Sequence, residues 1–185
     1  MFAYNEQNNT IETERLLLRR FRLSDAKTVA EICNSDEVYK GTLALPHPYT
    51  EECAASWIGR HDENFEKNYY YDYAITDKQT GELYGCMGMG LDLNSNMGEL
   101  GYWVSPLHWN KGIATEAAKA MIQFAFEVKK LHKVNARHFT YNPASGRVME
   151  KAGMEKEGVQ KKHVWKIDRF EDIVLYGIVN PGEEI

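Results

Sequence analysis

Residues 98–117 read GELGYWVSPLHWNKGIATEA, and this stretch carries the most informative pattern in the chain. It predicts a strand, a stop at Ser105-Pro106, a short loop and the start of a helix. Gly112 and Ala114 keep side chains small where the helix begins, either for a tight turn or to leave backbone N–H groups open to an anion. A helix start carries about half a unit of positive charge and several unpaired donors, so it suits a pyrophosphate.

Two better-known phosphate-binding patterns are absent from the sequence. No GxxxxGK[ST] occurs, which excludes a Walker A loop. The run GCMGMG at residues 85–90 lies inside a predicted strand and does not lead into a helix, which excludes a Rossmann fingerprint.

The elements around this stretch predict a mixed α/β sheet. A strand and two helices come first, followed by a three-stranded antiparallel meander, a long helix, a strand, a short helix and a terminal hairpin. This order fits neither a sandwich nor a doubly wound fold. The predicted strands cover 14–22, 69–76, 82–93, 97–104, 133–140, 157–166 and 170–179; the helices begin after Ser24, at Thr50 (running to about residue 67), after Gly112 and at Ala144.

Length and composition indicate an ordinary globular chain. Its 185 residues, 43% hydrophobic and 26% charged, predict one domain over 1–185, with about the first ten residues flexible. The net charge of −5 argues against nucleic acid as a direct partner, which usually requires a basic face. No signal segment and no run near the ~20 apolar residues of a membrane span are present, so no membrane binding is expected.

The cysteines and histidines bear on the cellular compartment and on metal binding. Cys33, Cys53 and Cys86 are odd in number and lack CxxC spacing, which indicates free thiols in a reducing, cytoplasmic compartment. The six histidines form no HxxxH or HExxH pair, so we expect no metal site.

Several motifs, in order, resemble the GNAT superfamily of N-acetyltransferases, and within it the RimJ/RimL-like group related to ribosomal-protein N-terminal acetyltransferases. The resemblance implies the GNAT fold, with a mostly antiparallel central sheet, a splayed parallel strand pair and helices on both faces. It also implies transfer of an acetyl group from acetyl-CoA to a primary amine. The motifs are ETERLLLRRFRLSDA (12–26), PYTEECAASWI (48–58), the stretch 98–117, YNPASGRVMEKAGM (141–154) and FEDIVLYGIV (170–179).

The resemblance also implies which residues bind acetyl-CoA. The superfamily holds the pyrophosphate on a [QR]xxGx[GA] loop, matched here by Trp109, Gly112 and Ala114. Trp109 departs from the usual Gln or Arg, so the loop is expected to work through backbone donors. Backbone groups of the splayed strand would hold the pantetheine arm and the thioester. The implied set is Tyr102, Trp103, Val104, Trp109, Asn110, Lys111, Gly112, Ile113, Ala114, Thr115, Asn142 and Ser145.

Two candidates for the catalytic base remain open in the sequence. Glu99 begins the GELGYWV strand close to the expected splay and could relay the amine proton through water; the alternative is an ordinary surface carboxylate. His138 on the next strand is a second candidate, with a packed structural histidine as the alternative.

The residue that would act as general acid on the leaving thiolate departs from the superfamily pattern. Many members carry a tyrosine in NxxAxxxYxKxGF, and the matching position here is Met149. By resemblance Ser145, one turn earlier, would protonate or hydrogen-bond the leaving thiolate. The alternative is a helix-start serine that bonds its own backbone.

The acceptor is less defined by the sequence. The subgroup resemblance favours a protein N-terminus, such as that of a ribosomal protein. A small amine (polyamine, amino acid or antibiotic) is the second hypothesis, and a non-catalytic acyl-CoA-binding protein is the third, because the usual tyrosine is lost. Acceptor-facing segments would be 41–50, the aromatic run 69–73 and the terminal hairpin; aromatic loops also fit a homodimer interface.

Overall fold

Nine strands form one sheet in the computed structural model, which describes residues 2–182. The strands are β1 (Ala3–Asn5), β2 (Thr10–Glu12), β3 (Leu16–Arg20), β4 (Tyr70–Asp77), β5 (Leu83–Asp92), β6 (Met97–Val104), β7 (Lys133–Phe139), β8 (Glu155–Lys166) and β9 (Arg169–Val179). Their order across the sheet is β1-β2-β3-β4-β5-β6-β7-β9-β8. Only β6 and β7 pair in parallel; the other neighbours described are antiparallel.

Several helices begin at a residue whose side chain caps the first turn. Ser35 accepts a hydrogen bond from the Val38 N–H, and Thr50 accepts one from the Cys53 N–H. Within residues 2–182, no helix has both the length and the apolar character needed to cross a bilayer. The helices are α1 (Ala26–Cys33), α2 (Asp36–Gly41), α3 (Glu51–Ile58), α4 (His61–Glu66), α5 (Ile113–Glu127) and α6 (Pro143–Lys151).

Apolar cores lie on both faces of the sheet. On one face α5 and α6 pack through buried residues such as Met121, Phe124 and Met149. On the other face α1 and α3 pack against Trp103 and the neighbouring strands. Because side chains alternate along a strand, Tyr102 and Trp103 point to opposite faces.

The predicted mixed α/β architecture is confirmed, and the structure adds elements that the sequence did not indicate. Ala3–Asn5 pairs with Thr10–Glu12 as a short hairpin. Six-residue α2 precedes α3, and the predicted second helix is divided at Gly59-Arg60 into α3 and α4. These pieces are too short for a hydrophobic period to identify them.

The parallel pair β6–β7 separates part-way along its length. The last pair is Leu100 with Ala136, although β6 continues to Val104 and β7 to Phe139. The Ser105 N–H donates to the Tyr84 carbonyl on the β5 side at 2.8 Å. Since donor directions alternate along a strand, the N–H groups of Tyr102 and Val104 point into the gap. The splay therefore presents backbone donors to a ligand.

Candidate active site

Two clefts meet at the splayed end of β6. The first, of about 460 Å³, lies between the end of β6, the start of α5 and α6. The second, of about 1190 Å³, lies beside the strands β4 to β7 and under the segment between α2 and α3. Two substrates could therefore approach one reacting centre from different sides. Five residues line both clefts: Gly41, Thr42, Tyr102, Trp103 and Ser145.

The loop before α5 is held open by local geometry. Gly112 has φ 77°, a left-handed conformation that glycine adopts without strain. The Trp109 indole N–H donates to the Val104 carbonyl at 2.7 Å, which fixes the loop to the end of β6. The N–H groups of a helix's first turn have no partner inside the helix, and here Ala114 and Thr115 line the cleft. The loop therefore offers donors to an anion.

An acidic residue in the first turn of α5 is kept out of this cleft. Glu116 forms a 2.7 Å ion pair with Arg15 and accepts a hydrogen bond from the Thr13 hydroxyl at 2.6 Å. The Arg15 guanidinium also donates to the Lys111 carbonyl at 3.0 Å. These contacts tie the loop to the segment before β3 and neutralise a charge that would repel an anion.

Three cations that sequence reasoning missed also line the first cleft. They are Lys40 at the end of α2, and Arg147 and Lys151 one turn apart on α6. The spacing of the two α6 cations was a usable signal in the sequence, because residues four apart share a helix face. Lys40 gave no such signal, because its position depends on α2, a helix that the sequence did not predict. One acidic residue, Glu37, also lines this cleft, and the helix start together with three cations outweighs it, which suits a phosphorylated ligand.

The structure gathers nearly all of the residues that the sequence predicted for acetyl-CoA. Lys111 is the exception, because it is exposed and does not line the cleft, although its neighbours do. Glu99 lines the second cleft instead of the first. The predicted residues along the first cleft are Tyr102, Trp103, Val104, Trp109, Asn110, Gly112, Ile113, Ala114, Thr115, Asn142 and Ser145.

Ser145 is paired with Tyr102, for which the family resemblance implies only a backbone role. The hydroxyls of Tyr102 and Ser145 lie 2.7 Å apart, and the Tyr102 hydroxyl also lies 3.0 Å from the Ser145 carbonyl oxygen. Burial raises the pKa of Tyr102 to about 12, so this phenol stays protonated at neutral pH. Asn142 caps α6 by accepting from the Ser145 N–H at 3.4 Å. The Ser145 side chain is therefore engaged at the junction of the clefts.

Met149 occupies the core, not the site. It is 1% exposed and belongs to the cluster under α5 and α6, while Val148 beside it lines the first cleft. A tyrosine placed at this position would begin in the core. We therefore do not expect Met149→Tyr to compensate for loss of Ser145.

The two base candidates differ in their surroundings. Glu99 is half-exposed, and one of its carboxylate oxygens lies 2.8 Å from Nε of Arg137. His138 is buried, with Nδ1 2.7 Å from the Phe139 carbonyl oxygen. A Cβ at Gly146 would lie 2.7 Å from its Nε2, so His138 packs tightly against α6. Within residues 2–182, no group of three or more His, Cys, Asp or Glu side chains could hold a metal ion.

The sequence profile of the acetyltransferase (GNAT) domain matches residues 15–155. The chain belongs to the GNAT family. It is therefore an N-acetyltransferase that uses acetyl-CoA. The first cleft of this GNAT enzyme fits that substrate, since its helix start and cations suit phosphates and the splay beside it exposes backbone donors.

Relatives and solved structures extend this likeness over most of the chain. An uncharacterized N-acetyltransferase of Bacillus subtilis, YoaA, is 30% identical to this chain. The matched region spans 94% of this chain and 98% of YoaA. The [Ribosomal protein uS5]-alanine N-acetyltransferase of Escherichia coli is 24% identical, over 98% of this chain and 97% of its own. The crystal structure of the ribosomal-protein-S5-alanine acetyltransferase of Vibrio fischeri superposes with a TM-score of 0.84, at 23% identity, over 95% and 99%. The likeness to this crystal structure shows that the two chains share a fold.

Proposed function

We propose that this GNAT enzyme acetylates the N-terminal α-amine of a protein. The size of the second cleft carries this proposal. At about 1190 Å³ it exceeds the roughly 300–1,000 Å³ of typical small-molecule sites. Such a volume suits the end of a polypeptide better than an isolated small amine.

The lining of the second cleft suits a cationic, partly apolar acceptor. Aromatic faces attract cations, and carboxylates attract them more strongly. Two arginines, Arg60 and Arg137, offset part of the acidic charge. The aromatic and acidic residues lining it are Tyr49, Trp57, Tyr69, Tyr70, Tyr102, Trp103, Phe139, Glu52, Asp72, Asp92 and Glu99.

A ribosomal-protein terminus is the specific acceptor that we propose. The Escherichia coli relative described above supports it by name, and the net charge of −5 favours a basic acceptor. An α-amine also requires little activation, because with a pKa near 7.7–8.0 roughly a tenth is neutral at pH 7. A lysine side chain near 10.4 is less than ~0.1% neutral.

The catalytic roles follow from the junction of the clefts. The N–H groups of Tyr102 and Val104 point into the gap where a thioester oxygen would gain negative charge, and such donors stabilise a developing oxyanion. Ser145 would hydrogen-bond the leaving thiolate, supported by its contact with Tyr102. Glu99, in the second cleft, is the base candidate from the sequence.

Replacing Ser145 with alanine should lower kcat by roughly 10- to 100-fold, because a hydrogen bond to a charged group such as the leaving thiolate contributes about 1.5–3 kcal/mol. The affinity for CoA should change little, since the loop before α5 is untouched. Steady-state kinetics with a peptide acceptor measures the first effect and calorimetry the second. A kcat equal to that of the parent would show that Ser145 only starts α6.

Thiol release from acetyl-CoA tests the proposed function directly. We expect release with peptides that carry a free N-terminus, and none with the same peptides after N-terminal blocking. Spermidine and free amino acids provide the comparison for a small-amine enzyme. Faster turnover of a small amine than of each peptide would overturn the protein acceptor, and no release with any amine would indicate a binding protein.

A further inference from the structure

One of the carboxyl groups that line the second cleft, that of Asp72, has no part in the catalytic roles proposed above. The Asp72 side chain on β4 is nine-tenths buried and lines this cleft. Its contacts are weak, since the Cys86 thiol lies 3.7 Å from Oδ1 and His61 Nε2 lies 3.5 Å from Oδ2. Within residues 2–182, neither ring nitrogen of His61 has a hydrogen-bond partner. A buried carboxyl so poorly partnered is costly unless a ligand completes it.

A glycine, Gly88, leaves room for this carboxyl in the row of the sheet where β6 and β7 separate. Asp72 pairs with Gly88 on β5, which pairs with Gly101 on β6. A Cβ at Gly88 would lie 2.7 Å from Asp72 Oδ1, 2.9 Å from Tyr70 Cε1 and 3.3 Å from the Gly101 carbonyl oxygen. The carboxyl therefore extends over Gly88, a space that another residue would fill.

Gly101 is the first residue of β6 beyond the last β6–β7 pair, and it directly precedes Tyr102. Asp72 therefore shares a row of the sheet with the point where the strands separate. Glu99 lies two residues earlier on β6, in the part still paired with β7 through Asn135, and its carboxylate has Arg137 as a partner.

We propose that Asp72 binds the ammonium group of the acceptor and takes its proton. This inference rests on the proposed function, because it requires an amine acceptor in the second cleft. The aromatic rings of Tyr70 and Trp57 line the same cleft, and together with a carboxylate they form a site for a primary ammonium.

The proton count is balanced as follows. The ammonium gives one proton to the Asp72 carboxylate, which leaves a neutral amine. The amine nitrogen forms a bond to the thioester carbonyl carbon and loses a second proton as the C–S bond breaks. One proton ends on the CoA sulfur, and the other leaves from Asp72 to solvent.

The surroundings of Asp72 adjust its acidity to this task. Burial raises the pKa of Asp72 to about 7, against smaller lowering effects of the Cys86 thiol and Arg60. The other titratable groups facing it, Tyr70 and His61, are neutral near pH 7, since burial raises the pKa of Tyr70 and lowers that of His61 to about 4. A base near 7 is matched to an α-amine near 7.7–8.0 and poorly matched to a lysine near 10.4.

Replacing Asp72 with asparagine should lower kcat/KM for the acceptor by roughly 10²–10⁴-fold near pH 7, a range typical of general-base removal. The loss should shrink as pH rises, because the acceptor is then already neutral. The affinity for CoA should stay unchanged, since Asp72 does not line the first cleft. The measurement is kcat/KM against pH with a free N-terminal peptide, together with CoA calorimetry.

Asp62→Asn on the exposed face of α4 is the matched control, because it removes the same charge outside both clefts. Glu99→Gln, measured in parallel, tests the candidate base from the sequence; a loss confined to Glu99→Gln would overturn the role of Asp72. Parental kcat/KM in Asp72→Asn, or a loss equal at every pH, would also overturn it. If the parent prefers a small amine to peptides, the proposed function fails while the same comparison, made with that amine, still decides on Asp72.

The stability of the same variant gives a readout independent of activity. An acid whose pKa is raised on folding stabilises the fold while it is protonated, and this contribution is lost as pH rises from the unfolded value near 3.8 to the folded value near 7. Asp72→Asn should therefore gain in free energy of unfolding relative to the parent between about pH 4 and pH 7, and gain no more above pH 7. Denaturant titrations at pH 4, 5.5, 7 and 8.5 measure this difference. A difference that does not vary with pH would contradict a buried, titrating Asp72.

Discussion

Replacing Gly112 with valine should lower the affinity for CoA by up to about 100-fold, because valine disfavours the backbone conformation that the loop needs at this residue. Its φ of 77° is a conformation that β-branched residues almost never adopt, and forcing it costs about 1–3 kcal/mol. If the backbone relaxes instead, the N–H groups of the first turn of α5 turn away from the ligand. Each 1.4 kcal/mol of lost binding is about tenfold in affinity. Calorimetry with CoA on the folded variant measures the change.

A second glycine provides the control for strain alone. Gly81, in the turn between β4 and β5, has φ 76°, and no atom lies within 4 Å of the position of its Cβ. Gly81→Val thus imposes the same backbone strain outside both clefts and should bind CoA like the parent. Unchanged affinity in a folded Gly112→Val variant would contradict the role of this loop.

Replacing Gly101 with valine should lower kcat/KM for the acceptor by about 100-fold or more while CoA affinity stays at the parental level. Gly101 lies on the floor of the second cleft, one residue before Tyr102. A Cβ there would approach only the Tyr70 hydroxyl, at 3.4 Å, and valine favours strands, so the fold should tolerate it. The new methyl groups would occupy space that the acceptor needs, and a displacement of 1 Å from the reacting geometry costs on the order of 10²-fold.

Gly158→Val is the matched control for this substitution. Gly158 also lies in a strand, β8, and no atom lies within 4 Å of the position of its Cβ. It lines neither cleft, so the variant should keep parental kinetics. Parental kcat/KM in Gly101→Val would place the acceptor elsewhere. Together, Gly112→Val and Gly101→Val should separate the binding of the two substrates.

Features encoded within one stretch of sequence could be predicted. The strand, loop and helix of residues 98–117 were found from spacing and small residues, because turns and helix starts depend on neighbours in the chain. The mostly antiparallel sheet and the parallel pair β6–β7 followed from the resemblance and are confirmed.

Features that depend on strand register could not be predicted. Asp72 and Gly101 share a row only because β4, β5 and β6 pair in one register. The run GCMGMG does not form a dinucleotide-binding fingerprint, but one of its glycines, Gly88, lies beneath the Asp72 carboxyl. Helical periodicity places Met149 and Ser145 on the same face of α6. It does not show that Met149 lies in the core while Ser145 lines the cleft.

We propose transfer of acetyl groups to protein N-termini, and a peptide that carries both a free N-terminus and an internal lysine distinguishes the two kinds of amine. The peptide is incubated with acetyl-CoA and the enzyme, and mass spectrometry then locates the acetyl group. We predict a single acetyl group on the α-amine, and none when the Gly112→Val variant replaces the parent. An acetyl group on the lysine side chain, or an unmodified peptide beside an acetylated small amine, would show that the enzyme does not select protein N-termini.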